Sequence, residues 1–125
     1  MKRAAYVRRC AQQILARHSG HVPREYTELV ALHGVGEYTA RSVLIHVRGL
    51  GIVAVDTNVR RLLSRFFDVN PDRNRIAVIA DALAPSTRSG DFQHAMLDFA
   101  AEVCAAGSPG CPSCPLREPC ARSKG

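Results

Sequence analysis

Residues 29–47 read LVALHGVGEYTARSVLIHV. Two short apolar patterns at helical spacing flank Leu32-His33-Gly34-Val35-Gly36. The two glycines are free to take positive φ, and having no side chains they leave backbone N–H groups bare. The second helix opens at once, with Glu37 in its first turn. Bare amides beside the positive end of a helix form an anion site, and a DNA phosphate is such an anion. A contact of that kind positions DNA without reading its sequence. The same residues also suit an ordinary glycine turn between two helices, so the hairpin alone leaves both readings open.

Outward from the hairpin the helical spacing persists. Apolar residues recur at Val7, Cys10, Ile14 and Leu15, at Val59, Leu62, Leu63 and Phe66, at Ile76, Ile79, Ala80 and Leu83, and at Phe92, Ala95, Met96 and Phe99. Breaks fall at Ser19-Gly20, residues 49–51, Asn70-Pro71 and residues 85–90. Only residues 52–55 look strand-like, and a single strand has no partner. An all-α fold is predicted, and 125 residues suit one domain.

Residues 53–67 read VAVDTNVRRLLSRFF. Asp56 directly precedes a strongly amphipathic helix and suits an N-cap. A carboxylate at a helix start, behind an apolar run, equally suits a reaction in which positive charge develops. Arg60, Arg61 and Arg65 follow on the same helix, facing either DNA phosphates or solvent.

Near the C-terminus Cys104, Cys111, Cys114 and Cys120 stand in the spacing C-x6-C-x2-C-x5-C, in a segment too rich in Pro and Gly for a long helix. Four closely spaced thiolates point to a metal centre. Structural four-cysteine zinc sites usually present two close C-x2-C pairs, and only Cys111 and Cys114 form one, so the spacing suits a 4Fe-4S cluster better than zinc. Disulfides are a third reading. The sequence shows neither a secretory signal nor an apolar segment long enough to span a membrane, which favours a reducing compartment. Cys10 is left over, expected as a buried helix residue.

Seventeen Lys plus Arg against eleven Asp plus Glu give a net charge of +6, which draws the chain toward polyanions such as nucleic acid. The only lysines are Lys2 and Lys124. His18, His21, His46 and His94 lie on separate segments without metal spacing and are expected at the surface or in packing. Phe66, Phe67, Phe92 and Phe99 are expected in the core.

Taken together, the GVG hairpin, the VDTNVRR segment about twenty residues later and the terminal cysteines resemble the helix-hairpin-helix DNA glycosylases of the endonuclease III superfamily. The resemblance runs from about Tyr6 to Cys120. It implies that Leu32, His33, Gly34, Val35 and Gly36, with Thr39 and Arg60, bind DNA. It implies too that Asp56 is the catalytic carboxylate and that the four cysteines hold a 4Fe-4S cluster in a structural role. Members that also cut the strand carry a lysine two residues after the hairpin, and here that residue is Tyr38, which cannot form a Schiff base. GVGEYTA, VDTNVRR and the segment from Phe92 to Phe99 look more like the mismatch glycosylases that remove adenine opposite 8-oxoguanine or guanine, or thymine opposite guanine. Tyr38 is accordingly expected in the active site, with packing as its ordinary alternative, and water as the nucleophile.

The departures from the family matter equally. Its members have further helices before the point where this chain begins, supplying part of the base pocket and a proton-donating glutamate. His33 stands where the family commonly has proline, and the loop from Ala105 to Gly110 lacks basic residues often found there. The expected organisation is a partial glycosylase core over residues 1–103 and an iron-sulfur loop over residues 104–120. The expected partner is mismatched or damaged double-stranded DNA, with no membrane. The expected setting is cytoplasmic, nucleoid-associated in a prokaryote, and the chain is expected as a monomer unless another chain supplies the missing half. A non-catalytic DNA-binding module is the competing reading.

Overall fold

The computed structural model describes residues 2–124. The helices are α1 (Lys2–His18), α2 (Tyr26–Val30), α3 (Glu37–Arg48), α4 (Thr57–Phe67), α5 (Arg73–Leu83) and α6 (Ser89–Glu102). Short 3-10 turns at Cys111–Ser113 and Ala121–Lys124 lie in the cysteine-rich tail. No β-strand occurs among the described residues, as the spacing predicts.

Helix α4 organises the larger core. Its Val59, Leu62 and Leu63 recur at helical spacing and are buried against Ile76 and Ala80 of α5 and Met96 and Ala100 of α6, with Val53 in the same cluster. A smaller core joins Leu29 of α2 to Ala40 and Leu44 of α3. The helix ends follow local chemistry. Asp72 caps α5 by accepting from the N–H groups of Asn74 and Arg75, and α3 stops at Gly49 with a left-handed φ of 65°.

The strand-like run at residues 52–55 belongs to no helix and pairs with no strand. Side chains take the place of the missing partner. Buried Gln93 of α6 accepts from the Ala54 N–H at 2.9 Å and donates to its carbonyl at 2.8 Å. Arg41 donates from Nε to the Val53 carbonyl at 2.8 Å, while Asp81 accepts from the Val53 N–H at 3.3 Å and pairs with Arg41. Two consecutive buried peptide units are thus satisfied by α3, α5 and α6, which fixes the path of the chain into Asp56.

Two packing expectations need correction, those for Cys10 and Phe67. Helix α1 buries no residue, so Cys10 is half-buried; Val7 and Leu15 on the same helix remain 69% and 68% exposed. Phe67 stands at the exposed end of α4, whereas Phe66, Phe92 and Phe99 are half-buried in packing positions. His46 and His94, far apart in sequence, meet across α3 and α6 with ring centroids 4.8 Å apart.

Candidate DNA-binding and catalytic site

The hairpin between α2 and α3 turns on one left-handed residue. Gly34 has φ of 78°, and a Cβ there would sit 3.1 Å from Cβ of Tyr6 on α1. Gly36, by contrast, is extended at φ −92° and has open space around it, so only the first glycine is required by backbone geometry. The amides also divide. Leu32 and Val35 donate to the carbonyls of Leu29 and Leu32, and His33 donates to Oε1 of Gln13 on α1. The N–H groups of Gly34 and Gly36 take part in none of these bonds. The first amides of α3 are also bare, because the helix starts at Gly36 with no side-chain cap. The amides left free for an anion are therefore those of Gly34, Gly36 and the start of α3, including Thr39. The Leu32 and His33 amides are already bonded to the Leu29 carbonyl and to Gln13, so neither is free.

Tyr38, in the first turn of α3, lines a cavity of about 340 Å³ together with Gly36, Glu37 and Val55. Arg60 of α4 is on the same wall. Asp56 is not among the lining residues, although it adjoins Val55 and begins the helix that carries Arg60.

Asp56 fulfils its capping role and more. Its Oδ1 accepts from the Val59 N–H at 2.8 Å, and its Oδ2 accepts from Nδ2 of Asn58 at 3.3 Å. Asn58 is in turn held by Arg61, whose Nη1 donates to Oδ1 at 2.9 Å. The remaining Arg61 nitrogens reach the carbonyls of Ala100 at 2.7 Å and Cys104 at 3.2 Å. A chain of hydrogen bonds therefore runs from α6 through Arg61 and Asn58 to the carboxylate, orienting it. Arg61 is neither a phosphate ligand nor a solvated charge. The same correction applies to Arg65, which donates to the carbonyls of Cys104, Ala105 and Ala106 and so fastens the cysteine loop to α4. Of the three arginines on α4, only Arg60 remains available for a ligand. Identical residue types at neighbouring helical positions hide this division from sequence alone.

Cys104, Cys111, Cys114 and Cys120 all line one pocket, closed by Leu62, Phe66, Phe99 and Val103. All four are free thiols and half-buried. Arg65 approaches Sγ of Cys104 at 3.6 Å. Among the described residues no three metal-ligating side chains are grouped around a single-ion position. The residues nonetheless fit a cluster in the chemistry of their donors: four soft thiolates, an apolar wall and a neighbouring guanidinium.

Residues 17–46 match the model of the helix-hairpin-helix motif. Over 119 residues the chain is 35% identical to an adenine DNA glycosylase of Mycolicibacterium smegmatis, covering 92% of this chain and 41% of that protein. It is 29% identical over 124 residues to a thymine/uracil-DNA glycosylase of Methanothermobacter thermautotrophicus, covering 95% of this chain and 56% of the relative. A thermostable thymine-DNA glycosylase superimposes with a TM-score of 0.91 at 28% identity, covering 98% of this chain and 59% of that structure. Endonuclease III in a trapped covalent complex with DNA gives 0.84 at 32% identity, with 97% and 58% covered.

The fold is therefore the helix-hairpin-helix fold of the endonuclease III structures. The chain's relatives are adenine and thymine/uracil DNA glycosylases, and it spans about half their length. No helix among the described residues is long and apolar enough to cross a membrane.

Proposed function

We propose that the chain carries the DNA-binding hairpin and catalytic carboxylate of a monofunctional base-excision glycosylase. Its substrate is a mispaired base in duplex DNA: adenine opposite 8-oxoguanine or guanine, or thymine opposite guanine. The observation that carries this reading is Asp56, fixed at the start of α4 by Val59 and Asn58 in a fold shared with glycosylases.

In the reaction the N-glycosidic bond breaks, the base leaves with its bonding electrons and gains a proton, and C1′ becomes cationic. Asp56 stabilises that cation electrostatically, and water adds to C1′, losing a proton to give an abasic sugar. Tyr38 borders the reaction space and offers no amine for covalent attack. Gly34, Gly36 and the α3 amides hold a backbone phosphate. Cys104, Cys111, Cys114 and Cys120 of residues 104–120 hold a 4Fe-4S cluster, which would cross-link the loop to α4 and α6 rather than react. Residues 1–103 form the glycosylase core.

A non-catalytic DNA-binding module is the second reading, favoured by the engagement of both Asp56 oxygens within the protein. Incubation with mismatched duplexes, followed by alkali, separates the two. The expected product is an intact abasic strand that breaks only after alkali, formed roughly 10²-fold more slowly by Asp56→Asn, the scale of losing one electrostatic contact to a transition state. A borohydride-trapped protein–DNA adduct would overturn the water mechanism, and full activity in Asp56→Asn would return that residue to capping alone.

A further inference from the structure

The cavity beside Tyr38 is lined by one arginine from each of three elements: Arg41 of α3, Arg60 of α4 and Arg73 of α5. Arg41 is neutralised by Asp81 and anchored on the Val53 carbonyl. Arg60 and Arg73 form no ion pair among the described residues. The Nε atom of Arg60 is buried and has no hydrogen-bond partner. A buried donor without an acceptor is uncommon in folded proteins and marks a position where an external acceptor fits. Glu37 is the one carboxylate on the wall, so two unpaired cations face one unpaired anion. The uncapped start of α3 adds bare amides and the positive end of its dipole.

Planar guanidinium forks match the oxygens of a phosphate better than those of any neutral group. Taking the DNA-glycosylase reading as given, we propose that Arg60 and Arg73 form a second phosphate subsite, next to the one at the hairpin. It takes a phosphodiester of the bound strand close to the target nucleotide. Arg41, already paired, shapes the wall and holds residues 53–55 in place.

The test compares the chain with Arg60→Gln, Arg73→Gln and the double variant, each checked for folding by circular dichroism. Arg73 is exposed at the first position of α5, so its variant folds whatever happens at Arg60. One arm measures duplex affinity against salt. The other follows the Arg60 Nε–H resonance by NMR during titration with inorganic phosphate. The expected result is a salt slope lowered by about one in the variants, and a phosphate-induced shift of that resonance. A lowered slope without the shift still assigns the subsite to the DNA backbone, whereas a shift without a lowered slope overturns the strand assignment and leaves a site for free phosphate. An unchanged slope with no shift overturns the proposal. Absence of duplex binding by the unmutated chain overturns the DNA reading instead, and the phosphate titration then decides the cavity by itself.

Discussion

Gln93 offers the sharpest test of how the segment leading into Asp56 is held. Its side chain is 1% exposed and forms both hydrogen bonds of the Ala54 peptide unit, which is itself fully buried. Gln93→Leu keeps the volume nearly constant, so little cavity cost is added, but it strands one buried N–H and one buried carbonyl. Each stranded group costs about 1–3 kcal/mol, which places the loss at roughly 3 kcal/mol after partial relaxation. For a domain of this size that corresponds to a fall of about 10 °C in Tm. Thermal unfolding followed by circular dichroism measures it, with Asp98→Asn on the exposed face of the same helix as the control. Because Ala54 lies two residues before Asp56, base release should slow in parallel. A Tm within about 1 °C of the unmutated chain would show that the strand-like run is held by other contacts, and the account of its missing partner would fall.

Three further outcomes follow from the same geometry. Protein prepared without oxygen should be brown and contain iron and sulfide near four of each per chain, as expected of a cubane held by four thiolates; colourless folded protein with one zinc would replace the cluster with a zinc site. Gly34→Val should destabilise the fold, because it forces a β-branched residue to φ of 78° against Tyr6, whereas Gly36→Val should fold normally yet weaken binding to all duplexes alike; unchanged affinity in the latter would reduce the hairpin to a turn. Tyr38→Lys places an amine at the mouth of the cavity and should yield some borohydride-trappable adduct, and its complete absence would put Tyr38 outside the reaction space.

Periodicity and punctuation made the helices readable because each signal is local. Val59, Leu62 and Leu63 announce their face by spacing, and Gly49 ends α3 where a left-handed residue is needed. The four cysteines are readable for the same reason, and they line one pocket. What escaped was every interaction joining distant segments. Residues 52–55 look like a strand in want of a neighbour, and nothing near them in sequence says that a glutamine 39 positions away completes their hydrogen bonds. The meeting of His46 with His94 across α3 and α6 is equally silent in the linear chain.

The arginines show most clearly why residue type alone underdetermines a site. Arg60, Arg61 and Arg65 occupy one helix and carry one charge each, yet their environments assign different tasks. Arg61 is aligned with the Asn58 and Ala100 oxygens, so its charge stabilises the connection between α6 and Asp56. Arg65 donates to three successive carbonyls of the cysteine loop, which occupy its fork of donors. Arg60, one position before Arg61 and so rotated by about 100° around the helix, leaves that face and reaches the cavity with its Nε unmatched. A basic helix that looks uniformly suited to DNA thus commits two of its three guanidiniums to internal architecture. The single one left over lines the cavity that Tyr38 and Arg73 also line.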